Sequence, residues 1–473
     1  MIGKAGLAFL QIVVLARLLT PEDFGLMAIV AALVAILGLF SDLGLSKAII
    51  HHSEITSEQL SSLYWLNLGA ALLLMLGMAG AAPLIGYLYG EPRLVPILII
   101  AGLVFPFSAV GYQFRVLAEK GLRFSILARV EIISSLFGFI CAVVTALAGG
   151  GVWAIVAGML ASAACASALS WWWLSLGWRP GWHLHVAECR LFLHFGGYSI
   201  GETLANTVRM QTDVFIGGLL FGPATLGLYS LPRELSLRIA FMINPIITRV
   251  GFPVMSRAQQ DTFRLKAIYL QTLRMTASVN FPIYLALALF AEETVVLLFG
   301  ERWEASALYL QIFAVLGLIR STGNPSGSLL YAVGRARLAF WWNMALLIIT
   351  PPIFLGGALL GGIDGLAWTM LIVQAGIFVP AWWFLIHPLC GAGFVEYVGQ
   401  LVRPLLIALT ASGCAYSLVM PLNHGLMRLG LGLAVGAVVY LALSVRFNRP
   451  WLMAMRELFS PMLQRFDESH SVK

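Results

Sequence analysis

Charge is scarce in this chain. Only 11% of its 473 residues are Asp, Glu, Lys or Arg, against about 25% in a soluble globular domain. That shortage excludes an ordinary soluble enzyme. Cysteine is scarce too. Cys141, Cys165, Cys189, Cys390 and Cys414 are far apart, and no two have metal-ligand or redox spacing. They read as small hydrophobes in mostly apolar stretches. No Gly-rich phosphate loop, Gly-x-Ser-x-Gly elbow or His-Glu-x-x-His helix occurs, and no loop is long enough to fold a catalytic domain. His183-x-His185 stands without a carboxylate or cysteine cluster. These absences predict no catalytic centre, no metal and no cofactor. The net charge of +7 is spread along the chain, which argues against nucleic acid as a partner.

What is present is apolar. Hydrophobic residues make up 60% of the chain, and the mean hydropathy is +0.89. A bilayer core needs roughly 20 mostly apolar residues per helix, and such runs number about fourteen. They are Ile2–Leu19, Phe24–Ile50, Leu63–Leu88, Leu94–Leu117, Ile126–Leu147 and Val152–Leu176 in the first half. Phe192–Leu220, Ala224–Val250, Ile268–Leu298, Ala305–Tyr331, Leu338–Leu360 and Gly365–Ile386 follow, and Leu401–Val419 and Leu426–Val445 close the series. The expectation is an all-α integral membrane protein. The first apolar run reads as a span rather than a cleavable signal.

Basic residues set the orientation, because short cytoplasmic loops carry an excess of Lys and Arg. With the N-terminus inside, the inner loops hold Lys47, Arg115, Lys120, Arg123, Arg179, Arg190, Arg257, Arg264, Lys266, Arg335, Arg337 and Arg403. The outer turns hold only Arg17, Arg93, Arg302 and Arg428. Both termini are therefore expected in the cytoplasm.

The chain echoes itself. Leu18-Leu19-Thr20-Pro21-Glu22-Asp23-Phe24-Gly25-Leu26 is matched at Leu220-Phe221-Gly222-Pro223-Ala224-Thr225-Leu226-Gly227-Leu228. Leu, Pro, Gly and Leu recur at one spacing, each time at the first outer turn of a half. Ala118 and Arg123 are echoed by Ala332 and Arg337. Loops on one side pair with loops on the same side, which implies parallel repeats related by an axis along the membrane normal. The expected partition is an N-terminal six-helix lobe at 1–178, an interfacial linker at 179–191 and a second six-helix lobe at 192–390. Two extra transmembrane helices at 391–449 and an amphipathic tail at 450–473 complete it.

The stretch Phe192–Arg249 carries charge where charge is costly. Two apolar segments meet at Phe221-Gly222-Pro223-Ala224, and within them lie Glu202, Arg209, Asp213, Arg233, Glu234 and Arg238. Ionised groups at membrane depth face a protein interior or a wet cavity. At 1.5 Å per residue, Arg233 lies about 14 Å from the turn and Arg209 about 18 Å, near the middle of a core roughly 30 Å thick. Arg209 and Asp213 are four apart and can pair on one helix face, as can Glu234 and Arg238. No carboxylate stands three or four residues either side of Arg233. A guanidinium is planar, always charged and forked for bidentate bonding to phosphate. Arg233, Arg209 and Arg238 are thus candidates to hold a diphosphate or acidic sugar. Arg320 in the tenth span and Arg17 at the end of the first join them. Asp213, Glu234 and Glu202 are candidates for charge pairing or ion coupling. Asp42, Lys47, Arg129, Glu131, Arg274, Glu292 and Glu293 lie near span ends and are expected to reach the headgroups.

Ala16-Arg17-Leu18-Leu19-Thr20-Pro21-Glu22-Asp23-Phe24-Gly25 resembles the first-turn signature of the Wzx-type polysaccharide flippases. These belong to the polysaccharide transporter family, in the superfamily that also holds the multidrug extruders and lipid II flippases. Asp213-Val214-Phe215-Ile216-Gly217-Gly218, Leu226-Gly227-Leu228-Tyr229, Phe252-Pro253-Val254-Met255-Ser256-Arg257, Leu298-Phe299-Gly300-Glu301-Arg302-Trp303 and Ala332-Val333-Gly334-Arg335-Ala336 extend the resemblance over nearly the whole chain. The resemblance implies a two-lobed helical transporter with a V-shaped central cavity lined by arginines. Its cargo would be an undecaprenyl-diphosphate-linked oligosaccharide, moved from the cytoplasmic to the outer leaflet of the bacterial plasma membrane for exopolysaccharide or lipopolysaccharide synthesis. A polysaccharide polymerase and a chain-length regulator would be its partners. Arg17 matches a cavity arginine at that turn in the lipid II flippases. Members often carry more residues ahead of the first span. Two other readings remain open: export of lipid II or a small cationic drug on the same scaffold, and a membrane enzyme of polysaccharide assembly. The first would want acidic residues in the N-lobe cavity if the cargo is a cation; the second would depend on carboxylates in outer loops.

Overall fold

A chain this apolar must satisfy its backbone polar groups internally once inside lipid, and a helix does so within each segment. In the computed structural model every regular element among the described residues is accordingly helical. The structure describes residues 2–41, 49, 55–175, 177–422, 425–449, 451 and 453. Asp42, Lys47 and all but two positions of the expected tail lie outside them. The first elements are α1 (Ile2–Leu18), α2 (Pro21–Ser41), α3 (Ser57–Leu88), α4 (Leu94–Ala101), α5 (Val104–Lys120), α6 (Phe124–Leu147) and α7 (Trp153–Leu174). Then come α8 (Val186–Arg257), α9 (Thr262–Leu289), α10 (Ala291–Phe299), α11 (Ala307–Ser321) and α12 (Asn324–Ala332). The last are α13 (Ala336–Ala381), α14 (His387–Cys390), α15 (Phe394–Val419) and α16 (Leu426–Phe447).

Ten helical stretches among the described residues are long and apolar enough to cross a bilayer, or eleven with the bent α9–α10 pair. Two of them are broken in mid-course by non-helical glycines, Gly222 in α8 and Gly361–Gly362 in α13, and α1 is a shorter apolar helix. Taking each broken stretch as two crossings and adding α1 gives the fourteen that composition leads one to expect. Gly222 sits at φ 76° and ψ 170°, a conformation that side chains with a Cβ rarely adopt. Pro223 after it has no N–H to continue the ladder. The hairpin therefore turns where the Phe221–Ala224 motif predicts. The ninth span differs from expectation: it bends by 78° between Leu289 and Ala291.

The chain divides into two compact units, Met1–Leu231 with Phe340–Leu366, and Pro232–Ala339 with Ala367–Lys473. In the first, α6 and α7 pack through small residues. Gly138 lies against the backbone of Gly158 and the side chain of Ser162, and Gly158 lies against Ala142. Small faces let membrane helices approach closely, which is where their dispersion energy comes from. The Thr20–Asp23 motif is a helix start. The Thr20 hydroxyl accepts from Asp23 N–H at 3.3 Å, and Asp23 Oδ2 accepts from Thr20 N–H at 3.0 Å. This is a reciprocal cap with Pro21 at the first helical position. Residues 179–185 of the linker are non-helical and are tied to the first turns of α3. Trp65 Nε1 donates to Gly181 O at 2.8 Å, and Gly181 N donates to Ser61 Oγ at 3.0 Å. Trp182 stacks on Trp65 at 4.8 Å.

The repeat has a three-dimensional counterpart inside the first unit. A Cβ placed on Gly25 would overlap the carbonyl oxygen of Pro223, and one placed on Gly227 would overlap the carbonyl oxygen of Pro21. Each glycine is thus seated on the proline of the other copy of its own motif. Such reciprocity is what a local two-fold relation imposes: where i meets j, the equivalent of j meets the equivalent of i.

In the second unit the core forms around Tyr269, Phe281, Tyr397, Tyr440 and Trp451. The two C-terminal spans are bound into it. Tyr440 Oη donates to Ser278 O at 2.6 Å, and Asn448 Nδ2 donates to Ser278 Oγ at 2.8 Å. The structure also corrects one expectation. Glu293, expected at the headgroups, is 5% exposed and pairs with Arg428 at 3.1 Å, with Arg428 itself 5% exposed. Arg428 also lies over the Tyr416 ring at 5.4 Å. The bend after Leu289 starts a new helix, and Glu293 lies in its first turn but packed within the protein and paired with α16 instead of exposed.

Candidate functional site

The charged stretch lies on the two arms of α8, either side of Gly222. On the first arm Asp213 is fully buried and accepts from the Tyr229 hydroxyl at 2.9 Å. Tyr229 is on the second arm and also fully buried, so this bond fastens the arms together across the turn. Arg209 is half-buried and donates through Nη2 to Asn206 Oδ1 at 3.1 Å. The i,i+4 pair expected between Arg209 and Asp213 is thus replaced by separate partners, Asn206 and Tyr229. A phenol sixteen residues away in sequence reaches Asp213 because the chain reverses at Gly222. The Nε of Arg209 is buried and has no acceptor among the described residues. Arg17, in the same unit, is exposed at the last turn of α1. The side chain of Glu202 lies outside the described residues.

The second unit holds the remaining candidates. Arg233 is 8% exposed. Glu234 and Arg238 pair at 2.9 Å across one helical turn, both partly exposed. Arg320 is half-buried on α11 and acts electrostatically on Tyr284 of α9. The Tyr284 hydroxyl donates to Ser236 O at 3.0 Å, and Ser236 Oγ donates to Phe313 O at 2.8 Å. These bonds tie the second arm of α8 to α9 and to α11, the helix that carries Arg320. Among the described residues, no group of three His, Cys, Asp or Glu side chains is placed to hold a metal.

A further cation is partly withdrawn from solvent in the first unit. Arg115 on α5, counted among the inner-loop charges, is half-buried. It donates to Ser108 O at 3.2 Å and lies over the Tyr112 ring at 5.7 Å. The signal was present in Tyr112-Gln113-Phe114-Arg115-Val116, an arginine set among aromatic and apolar residues before the loop begins. At the opposite chemical extreme, Arg93 sits in an exposed turn, where hydrogen bonds to Glu22 and then Glu91 raise its pKa above the usual value.

Tyr229→Phe removes one donor from a buried carboxylate and leaves the ring packing in place. The expected result is a loss of about 1–3 kcal/mol, read as a lowered Tm in detergent. An unchanged Tm would show that the bond between the arms contributes nothing.

Asp213 in the first unit and Arg233 in the second are each buried on a membrane-spanning helix, where an ionised group is costly. Comparison with known proteins agrees with the membrane architecture. Residues 14–308 match the family described as polysaccharide biosynthesis protein. The lipopolysaccharide biosynthesis protein WzxC of Escherichia coli K12 is 31% identical over 414 residues, 87% of this chain and 84% of that protein. The succinoglycan biosynthesis transport protein ExoT of Rhizobium meliloti is 24% identical over 464 residues, 96% of this chain and 92% of that protein. Among solved structures, the lipid II flippase MurJ in an inward closed conformation covers 95% of this chain and 98% of its own, with a TM-score of 0.76 at 11% identity. That likeness is one of fold. With a reciprocal motif contact, charged membrane helices and a family match over more than half its length, this multi-pass membrane protein belongs to the polysaccharide biosynthesis protein family.

Proposed function

We propose that this chain is a flippase that carries undecaprenyl-diphosphate-linked oligosaccharide repeat units from the cytoplasmic to the outer leaflet of the bacterial plasma membrane. It works by alternating access, with both termini in the cytoplasm, and serves lipopolysaccharide or exopolysaccharide synthesis. Its arginines take the diphosphate or acidic sugars while the polyprenyl chain stays in lipid. A polymerase and a chain-length regulator receive the product. Two six-helix repeats, 1–178 and 192–390, form the moving body, and the helices of 391–449 are an addition to it.

The observation that carries this reading is arginine held inside membrane helices: Arg233 at 8% exposure, and Arg209 with a buried Nε lacking an acceptor among the described residues. Arginines within membrane helices face the protein interior or a water-filled cavity and mark substrate or ion pathways. The names of WzxC and ExoT, a lipopolysaccharide biosynthesis protein and a transport protein, support the same class.

The test is translocation of a lipid-linked oligosaccharide in proteoliposomes, read by accessibility of the sugar to an external reagent. The parent chain should move it. Arg233→Ala should slow it ten-fold or more, since a hydrogen bond to a charged group is worth about 1.5–3 kcal/mol, while the variant keeps the parent's Tm within a few degrees. Arg233→Lys should restore part of the rate through charge alone. Undiminished flipping by Arg233→Ala would remove Arg233 from the mechanism, and absence of flipping by the parent would overturn the proposal.

A further inference from the structure

Away from α8, the second unit contains a cavity of about 290 Å³ between the first half of α9 and the start of α15, closed on one side by Trp451. Leu270, Met275 and Trp451 form its apolar wall; Gln271, Arg274 and Gln400 supply its polar groups. Its size is at the small end of the range for small-molecule sites, roughly 300–1,000 Å³, which suits a headgroup rather than an oligosaccharide.

The charges along these two helices form a ladder of unequal rungs. At the outer rung, Lys266 Nζ donates to both carboxylate oxygens of Glu396 at 3.1 Å. Two turns along α9, Arg274 Nε donates to Gln400 Oε1 at 2.7 Å. The second rung therefore sets a cation against a neutral amide. Arg403, three residues beyond Gln400, adds a like charge near enough to act on Arg274. No carboxylate pairs with Arg274 or Arg403 among the described residues.

Trp451 supplies a second, independent observation. It is 8% exposed, and its indole N–H is buried with no acceptor among the described residues. An indole and a guanidinium are donors only. The cavity thus gathers positive charge and an unmatched indole donor, and its acceptors are neutral amide oxygens, of which that of Gln400 already takes Arg274 Nε; an anion has to come from outside. Arg274 lies about 9 Å along the helix from Ile268, where the apolar run begins, a depth from which a guanidinium reaches the headgroup layer. Val402 and Leu406 on the same stretch of α15 are exposed apolar side chains, so this helix meets lipid.

We propose that this cavity is a phosphate-binding site for an anionic phospholipid, with Arg274 holding the phosphate, Trp451 Nε1–H donating to it, Leu270 and Met275 lining the start of the acyl region, and the exposed Arg403 adding positive charge from outside the lining. It is distinct from the translocated cargo's site on α8. Its placement in the cytoplasmic leaflet rests on the orientation proposed above; the binding itself does not.

The test uses the purified full chain in detergent, delipidated and then titrated with phosphatidylglycerol, phosphatidylcholine or inorganic phosphate. Native mass spectrometry reads retained lipid and a thermal melt reads stabilisation. Phosphatidylglycerol should be retained as a one-to-one adduct and raise Tm, with phosphatidylcholine several-fold weaker. Arg274→Gln and the double variant with Arg403→Gln should lose the adduct by ten-fold or more. Trp451→Phe keeps an aromatic side chain but removes the indole N–H and part of the apolar wall, so it should weaken retention in a folded protein even if the arginine variants fold poorly. Lys266→Gln should leave retention unchanged. Equal stabilisation by inorganic phosphate alone would overturn a lipid as the source. Undiminished adduct in both Trp451→Phe and the double arginine variant would overturn the site. Retention is read without any sugar-bearing lipid, so loss of this site and loss of flipping are separable.

Discussion

Gly25→Ala and Gly227→Ala are each expected to destabilise the protein by about 1–3 kcal/mol or more, the cost of overpacking a filled contact. The obstacle in each case is backbone: a Cβ at either position overlaps the carbonyl of Pro223 or Pro21, which no rotamer change can move aside. The two turns must separate to admit it. Once one substitution has separated them, the second meets an open contact. The double variant should therefore cost clearly less than the sum of the singles, a coupling measurable by a double-mutant cycle. Gly69→Ala and Gly77→Ala are the controls, because a Cβ there meets nothing within 4 Å, and both should hold the parent's Tm. Additive losses at Gly25 and Gly227 would mean that the motifs do not share one contact. Losses of similar size at Gly69 would point to a general effect of the substitution.

The second large effect is expected at Glu293 and Arg428. Glu293→Gln or Arg428→Met should each cost about 3–5 kcal/mol, because each leaves the other member as an uncompensated charge in the core. Replacing both, Glu293→Leu with Arg428→Met, should recover most of that loss, since an apolar pair of similar volume is often neutral or better. Melting curves in detergent read both outcomes. A double variant as unstable as the worse single would show that the pair does more than cancel charge, for instance through the Tyr416 ring beneath Arg428. The pair joins α10 to α16, so its loss bears first on the C-terminal spans. Flipping by the stable double variant should stay within a few-fold of the parent if these spans serve only as a structural addition.

These two sites also mark where a reading of residues stops. The spans follow from run length and hydropathy, because the bilayer demands continuous apolar helices. The break in α8 follows from Gly222-Pro223, the start of α2 from Thr20-Pro21-Glu22-Asp23, and the Glu234–Arg238 pair from a spacing of four; all are settled within one or two helical turns. The echo between Leu18–Leu26 and Leu220–Leu228 was also legible, but only as a pattern. That Gly25 rests on Pro223 and Gly227 on Pro21 depends on how distant segments are brought together. The same holds for Tyr229 on Asp213, Arg428 on Glu293 and Gln400 on Arg274. Local rules state which side chains a helix presents and at what cost a charge enters lipid. They do not name the partner, because a buried polar group takes whichever donor or acceptor packing brings within about 3 Å, and packing is a property of the assembled chain.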